Sequence, residues 1–306
     1  MRSPALRADL LMLVTAMIWG FAFVVQRLGM DHIGPLLFSG LRFAIGALAL
    51  LPLVWWQRRQ HPRPAGEPLF SRGLLGGGLA MGLAITLGIN LQQVGLLFTS
   101  VTNSGFITGL YVILVPVLGL LVGQRTGAGA WVGGLMAVVG LALLSIGENF
   151  TVASGDWLQL AGAVTWAVHV LMVGYFARRH DALLLSFLQF VVCAVISLAL
   201  ALAVEDIDPA AIRNAMPTLL YGGLVAVGVG YTLQVVAQRH AIASHAAIIL
   251  SLEAVFAAIA GALFLGESLS WRGYTGCALM FAGMLVAQLW FGPRRRGAAP
   301  EAGQPA

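Results

Sequence analysis

The stretch DLLMLVTAMIW at residues 9–19 returns in the second half of the chain as DWLQLAGAVTW at residues 156–166. Both stretches begin with an aspartate, continue as an apolar run and place a tryptophan at the same distance from that aspartate. The pair LQ recurs in the same way, ending at Gln92 in the first half and at Gln234 in the second. The chain is therefore built from two related halves.

Outward from these stretches, the chain divides into ten apolar segments: 9–28, 34–56, 73–95, 101–123, 128–146, 156–176, 183–203, 216–237, 243–265 and 270–291. A transmembrane helix needs about 20 apolar residues, so the pattern predicts an all-α integral membrane protein with ten transmembrane helices. Because five is odd, the second half would enter the membrane from the opposite side. We therefore expect two inverted five-helix repeats, at 9–146 and 155–291, and a disordered cytoplasmic tail at 292–306. Inverted repeats are typical of secondary transporters that work by alternating access.

The composition excludes several other classes of protein. The chain is 59% hydrophobic and 9% charged, whereas a soluble domain carries about 25% charged residues. Its basic residues are scattered between apolar segments, which speaks against nucleic-acid binding. Cys193 and Cys277 show no metal-ligand spacing, and no HExxH, GxSxG or Walker sequence occurs. We therefore predict no catalytic residues, no metal, no cofactor and no ATP-driven pumping, and hence no enzyme.

The arginines predict the orientation of the segments. With a cytoplasmic amino terminus, only Arg27, Arg213 and Arg272 fall outside and Arg42 falls within a segment. The other thirteen fall inside: Arg2, Arg7, Arg58, Arg59, Arg63, Arg72, Arg125, Arg178, Arg179, Arg239, Arg294, Arg295 and Arg296. Cytoplasmic loops carry an excess of basic residues. The sequence thus predicts a multi-pass protein of the cell inner (plasma) membrane with both termini in the cytoplasm.

Glu253 is the most informative single residue, because it lies about 15 Å into its segment at about 1.5 Å per residue. An ionisable group near the bilayer midplane costs about 2.5–3.5 kcal/mol on insertion scales and indicates a functional site. It would bind a substrate amine or couple transport to protons, and the alternative is a structural hydrogen bond. Arg42 lies about 12 Å from the outer face of its own segment. It can pair with Glu253 or meet anionic groups of the solute.

Further polar and aromatic residues lie near mid-depth and complete the candidate substrate-binding or coupling set: Trp19, Gln92, Tyr111, Trp166, His169, Tyr231 and Gln234. Tyr111 is the repeat counterpart of Glu253, and Trp19 that of Trp166. A central tryptophan can stack on a substrate ring or cation, with core packing as the alternative. His169 is either a proton relay or a hydrogen-bonded core residue.

Two polar pairs and one proline complete the candidate residues. Asn103 with Ser104, and Ser244 with His245, begin their segments at opposite sides of the membrane, so each pair either lines a gate or caps its helix. Pro116 removes a backbone hydrogen bond, so we expect a helix kink there.

Several of these stretches together resemble one family. SLEAVFA at 251–257 with LGE at 265–267, TGLY at 108–111 with Pro116, and GLRF at 40–43 are similar to the EamA-type transporters of the drug/metabolite transporter superfamily. The resemblance covers about residues 9–291. It implies ten helices in two inverted halves, cytoplasmic termini, a central cavity and export of metabolites such as amino acids. Ala254 stands where the family often has proline, which makes a helix break there less expected.

The sequence therefore favours an inner-membrane secondary transporter that exports small metabolites, with amino acids or amphiphilic amines as the leading substrates. Its partners would be a small-molecule substrate and the lipid bilayer, proton coupling remains an option, and both monomer and homodimer stay open. The alternatives are a membrane-embedded lipid-modifying enzyme and a passive channel or uptake carrier.

Overall fold

The computed structural model describes residues 4–60, 70–99, 101–145, 153–264 and 270–290, and all regular secondary structure in these ranges is helical. The tail predicted at 292–306 lies outside the described residues, as does the side chain of Asn103. The first half contains α1 (Pro4–Gly29), α2 (Pro35–Gln60), α3 (Arg72–Gly95), α4 (Val101–Gly109), α5 (Tyr111–Leu121) and α6 (Ala128–Ser145).

The second half is more subdivided than the first. It contains α7 (Ser154–Phe176), α8 (Ala182–Val204), α9 (Pro209–Asn214), α10 (Met216–Leu220), a π-helix (Tyr221–Tyr231), α11 (Thr232–Gln238), α12 (Ala243–Leu250), α13 (Glu253–Phe264) and α14 (Trp271–Leu289). The stretch Met216–Gln238 is one continuous span that changes from α to π winding and back.

Eight helical stretches of the described chain are long and apolar enough to cross a membrane. They are Ala5–Gly29, Pro35–Gln60, Arg72–Gly95, Ser104–Leu121, Ser154–Phe176, Ala182–Val204, Met216–Gln238 and Ala243–Phe264. Large apolar side chains such as Leu48, Leu121 and Leu202 are exposed, which suits a surface that faces lipid rather than water. The helices α6 and α14 fall outside this set, so ten crossings stay a prediction.

The helices pack as pairs that join the two halves of the chain. The most extensive contacts join α6 to α14, α2 to α8, α3 to both α7 and α8, and α1 to α13. Glycines make the α6–α14 pair possible, because a Cβ at Gly140 would lie 2.6 Å from the Gly276 carbonyl oxygen. Gly133 and Gly283 face each other in the same way. Gly133 and Gly140 of α6 thus allow its backbone to approach that of α14 closely at Gly276 and Gly283.

Hydrogen bonds between helix ends show which ends lie together. The Asp181 carboxylate caps α8 through the Leu184 amide and also accepts from Gln57 Nε2 near the end of α2, both at 3.0 Å. At the other end of α8, Glu205 accepts from the amides of Leu36 and Leu37, at the start of α2, at 2.8 Å. The helices α2 and α8 are therefore antiparallel neighbours over their full length.

Candidate functional site

A cavity lies where the two halves meet, in the middle of the long helices. Eight of the predicted site residues line it: Trp19, Arg42, Gln92, Tyr111, Trp166, Tyr231, Gln234 and Glu253. The space available to the centres of water molecules is about 40 Å³, and one water needs about 10–15 Å³ by this measure. In the described conformation the cavity therefore has room for a few water molecules and is too small for an organic substrate.

One end of the cavity is positive. Arg42 is 2% exposed, and its Nη2 donates to Gln26 Oε1 at 3.1 Å and to Gln93 Oε1 at 3.2 Å. The guanidinium carbon lies 5.4 Å and 5.6 Å from the ring centroids of Phe38 and Phe43. These contacts hold the cation without neutralising it, and the Arg42 Nε is buried without an acceptor. A buried charge is costly unless it is paired, so this end is prepared for an anionic group.

Glu253 forms the negative end. It is 4% exposed, it is the first residue of α13, and it lines the cavity together with Tyr111. A helix amino terminus favours a nearby negative charge, which helps to place a carboxylate at this depth. Arg42 and Glu253 thus line the same cavity, but the described side-chain contacts of Arg42 go to the two glutamines and not to Glu253.

The helix breaks immediately before Glu253, although Ala254 made this less expected. Ser251 Oγ donates to the Ile248 carbonyl at 2.9 Å, and the Leu252 amide turns to the Ile249 carbonyl at 3.2 Å. The serine hydroxyl thereby takes the acceptor that the helix ladder would use at this point. The expectation from Ala254 was wrong, because a serine hydroxyl rather than a proline interrupts the ladder.

The first half is interrupted at the equivalent place. Its helix breaks at Leu110, between α4 and α5, so that Tyr111 is the first residue after the break, as Glu253 is in the second half. Pro116 lies inside α5, which is continuous around it. The predicted kink at Pro116 is therefore displaced towards the amino terminus. A proline disturbs the turn that precedes it, because its ring crowds the carbonyl four residues earlier.

Aromatic rings form the wall between the two charged ends. The Tyr231 ring lies 4.5 Å from Trp19 and 6.0 Å from Trp166 between centroids, and it is nearly parallel to Trp166 at 16°. Phe43 lies 5.7 Å from the same Tyr231 ring. Trp166 Nε1 is buried without a partner. The wall therefore offers flat apolar faces and one free indole N–H donor.

The π-helix shapes this wall from behind. Trp19 Nε1 donates to the Ala226 carbonyl at 3.1 Å, and Thr15 Oγ1 reaches the Gly230 carbonyl at 3.4 Å. Both carbonyls belong to the π-helix and accept hydrogen bonds from side chains of α1. Residues without a side chain permit the approach: a Cβ at Gly230 would lie 2.7 Å from Trp19 Nε1, and one at Gly222 would lie 3.3 Å from Arg42 Cδ.

A chain of amides borders the cavity on the α3 side. Gln92 Nε2 donates to Thr108 Oγ1 at 3.2 Å, and Gln159 Nε2 donates to the Gln92 carbonyl at 2.9 Å. Gln234 lines the cavity with its Oε1 buried and unpartnered. The repeat counterparts Gln92 and Gln234 thus share one cavity but differ in what they bond.

His169 lies behind the aromatic wall rather than in it. Its Nε2 is 2.8 Å from Gln189 Oε1, and its ring meets Trp166 edge-on at 5.8 Å between centroids.

Three of the predicted gate residues lie outside the cavity. Ser104 is in the first turn of α4, Ser244 and His245 are in the first turn of α12, and none of the three lines the cavity. Ser104 Oγ has no hydrogen-bond partner, and Ile242 rather than Ser244 is the N-cap residue of α12. Their gating role stays a prediction.

Sequence reasoning missed the two glutamines that hold Arg42. Gln26 belongs to a stripe of α1 that faces the cavity together with Trp19, Ala22 and Phe23. Residues three, four and seven apart share a helix face, so this spacing from Trp19 is a signal that was present in the sequence. Gln93 gives no such signal, because only the packing of α3 against α2 brings it to Arg42.

Comparisons with known proteins identify the family and the fold. The model of the EamA-like transporter family matches residues 6–146 and 153–288. A protein of Archaeoglobus fulgidus named as an uncharacterized transporter is 31% identical over 289 residues, which cover 93% of this chain and 86% of that protein. The Escherichia coli protein named as the uncharacterized inner membrane transporter YedA is 29% identical over 157 residues, covering 49% and 47%. A solved crystal structure superimposes with a TM-score of 0.73 at 18% identity, covering 92% of this chain and 96% of the other, which supports the fold alone.

Proposed function

The chain belongs to the EamA-like transporter family, and on that premise we propose that it is an inner-membrane secondary transporter that exports small metabolites by alternating access. Amino acids are the substrate class that the cavity favours. The observation that carries this proposal is one cavity that is lined by a buried cation, a buried carboxylate and aromatic rings.

A zwitterion matches this arrangement of charges. The carboxylate of an amino acid would take the free donors of Arg42, because a guanidinium binds carboxylates in a planar, charge-assisted manner. The ammonium group would lie between Glu253 and Tyr111, and a side chain with a flat or apolar face would rest on Trp19 and Trp166. An amphiphilic amine, the other leading substrate, would leave Arg42 buried beside a second cation, which is unfavourable.

The ten-helix, inverted-repeat architecture belongs to the same proposal, with repeats at 9–146 and 155–291. Three pairs of sequence counterparts line one cavity: Trp19 with Trp166, Gln92 with Gln234, and Tyr111 with Glu253. The contacts between α3 and α7 have their counterpart in the contacts between the π-helix and α1. Both facts are what a twofold relation between the halves would produce, with α6 and α14 as the fifth and tenth crossings.

We place both termini in the cytoplasm on the basis of charge. The exposed Arg178, Arg179 and Arg239 lie at the same end of the helices as Gln57 and Asp181, whereas Arg213 follows the opposite end of α8. An arginine-rich end is the cytoplasmic one by the positive-inside rule. Coupling to protons through Glu253 is part of the proposal, since a carboxylate that alternates between two sides of a membrane can carry a proton with or against the substrate.

The test is counterflow in proteoliposomes that contain the purified full chain. Vesicles loaded with unlabelled phenylalanine should accumulate labelled phenylalanine, whereas phenethylamine and 3-phenylpropionate, which each lack one of the two charges, should compete poorly. Absence of counterflow with all twenty amino acids would contradict the substrate class. Uptake that lacks counterflow would indicate a channel, and turnover of added phospholipid would indicate the lipid-modifying enzyme. Metabolite profiling of medium from cells with and without the gene would identify the exported compound.

A further inference from the structure

The end of the molecule at which α7 finishes carries two wide clefts that take no part in the central cavity. One cleft is about 590 Å³, measured as for the central cavity, and includes Arg125, Tyr175, Arg178, Arg179 and Ile242 in its lining. The other is about 420 Å³ and also includes Arg178 and Arg179, together with Arg239 and Asp181. The two arginines at the end of α7 therefore form a wall shared by both clefts.

The arginines of this wall are held in place by neutral groups. Arg178 Nη2 donates to the Ala241 carbonyl at 2.6 Å, and Arg179 Nη1 donates to the Tyr175 carbonyl at 2.7 Å. The Arg179 guanidinium also stacks on the Tyr175 ring at 3.7 Å. Each guanidinium has five N–H donors, so both side chains keep their charge and further donors while their positions are restrained.

Asp181, the acidic residue in the described lining of the smaller cleft, already has hydrogen-bond partners. Asp181 uses its oxygens for the Leu184 amide and for Gln57 Nε2, so it serves as a helix cap and a strut to α2. Among the described residues, the lining of the larger cleft contains no acidic side chain. The cleft therefore presents three exposed arginines, Arg125, Arg178 and Arg179, without a counter-charge of its own.

An apolar surface adjoins the larger cleft. Leu121 and Val122, at the end of α5, are 79% and 66% exposed, and they lie just before Gln124 and Arg125 of the cleft. Ile242 is 50% exposed within the cleft itself, and Tyr175 is 51% exposed. A tyrosine among arginines, next to exposed aliphatic side chains, is typical of a membrane–water interface.

We propose that the larger cleft binds the phosphate headgroup of an anionic phospholipid. Arg125, Arg178 and Arg179 contact the phosphate, and the acyl chains lie along Leu121 and Val122. Basic pockets between transmembrane helices at the cytoplasmic face are suited to such headgroups. The cleft joins α5, α7 and the start of α12, so a bound lipid would link helices that meet at the two breaks beside Tyr111 and Glu253.

The experiment uses the purified full chain in detergent micelles and follows its thermal unfolding during titration with dioleoylphosphatidylglycerol. We expect stabilisation by this lipid and none by dioleoylphosphatidylcholine. The double variant Arg125→Gln, Arg179→Gln should bind the anionic lipid about thirtyfold more weakly, since each arginine near an anionic surface contributes on the order of fivefold. Arg213→Gln, an exposed arginine at the other end of α8, is the matched control and should bind as the wild type does.

The single variant Arg125→Gln guards against a folding defect, because Arg125 is exposed and its replacement leaves the bonds of Arg178 and Arg179 intact. It should unfold at the wild-type temperature without lipid and bind the lipid about fivefold more weakly. Equal binding by wild type and the double variant would overturn the proposal. Full stabilisation by inorganic phosphate or glycerol 3-phosphate, without lipid, would also overturn it and assign the cleft to a free anion.

Discussion

The two charged ends of the cavity are built in opposite ways. Arg42 lies in the uninterrupted helix α2, where two glutamine side chains and two phenylalanine rings fix its guanidinium. Glu253 lies at a break between two short helices, next to Tyr111, which follows a break of its own. The positive side of the cavity is therefore held rigidly by its neighbours, while Glu253 lies where the helix is interrupted. Under the proposed function, Arg42 would select the substrate and Glu253 would couple binding to movement.

Replacing Arg42 with glutamine should have the largest effect. The substitution removes the charge that would meet the substrate carboxylate under the proposed function, and truncating one partner of a buried charge pair costs about 2–5 kcal/mol. Because about 1.4 kcal/mol is tenfold, kcat/KM for phenylalanine in proteoliposomes should fall about thirtyfold or more. Competition by phenethylamine, which has no carboxylate and is poor in the wild type because Arg42 is a second cation, should not weaken further. An equal loss for both compounds would show that Arg42 stabilises the fold and does not select the substrate.

Glu253→Gln should reduce transport of phenylalanine by about tenfold, which is the loss of about 1.4 kcal/mol of binding to the ammonium group. The amide keeps the size and much of the hydrogen bonding, so the variant should insert and fold normally. The analogue 3-phenylpropionate should be affected least. Full activity of a stably folded Glu253→Gln variant would remove Glu253 from the mechanism. The proposed division of roles between Arg42 and Glu253 would then fail.

Trp19→Ala and Trp166→Ala test the wall between the ends. Each should raise the half-saturating concentration of phenylalanine about three- to tenfold, because an aromatic pair contributes about 0.5–1.5 kcal/mol beyond its burial. The control is Trp157→Ala, since Trp157 is 67% exposed at the start of α7. Unchanged kinetics in Trp19→Ala and Trp166→Ala would assign both tryptophans to core packing.

The smallest expected effect comes from two glycines, Gly230 beside Trp19 and Gly105 beside Ala257. A methyl group at Gly230 would press on Trp19 Nε1 and weaken its bond to the Ala226 carbonyl, which should cost about 0.5–1.5 kcal/mol and lower the unfolding temperature. A methyl group at Gly105 would meet Ala257 Cβ at an ordinary 3.8 Å, so Gly105→Ala should be close to neutral. Equal unfolding temperatures for Gly230→Ala and Gly105→Ala would show that the π-helix shifts to make room for the added methyl group beside Trp19.

The repeat in the sequence predicted much of this site, because counterparts such as Trp19 and Trp166 lie at the depth where the halves meet. Glu253 and Arg42 were found by a different signal, the cost of an ionisable group in an apolar segment. The side chains around Arg42 were harder to foresee, because Gln26 and Gln93 come from two other helices and converge only through packing. The break before Glu253 was missed because its cause is a serine hydroxyl, and Ser251 is ordinary in sequence terms.

The π-helix at Tyr221–Tyr231 also escaped prediction, since hydropathy does not distinguish π from α winding. Each π-type turn accommodates one residue more than an α-helical turn, so this span holds surplus chain between two fixed ends. Among the described spans it is therefore the place where loss of a single residue can be absorbed by tighter winding. Such a deletion in an ordinary helix would turn everything beyond it by about 100° and carry its faces away from their neighbours. Natural length variation among related chains should consequently concentrate here rather than in α2, where the orientation of Arg42 leaves no such freedom.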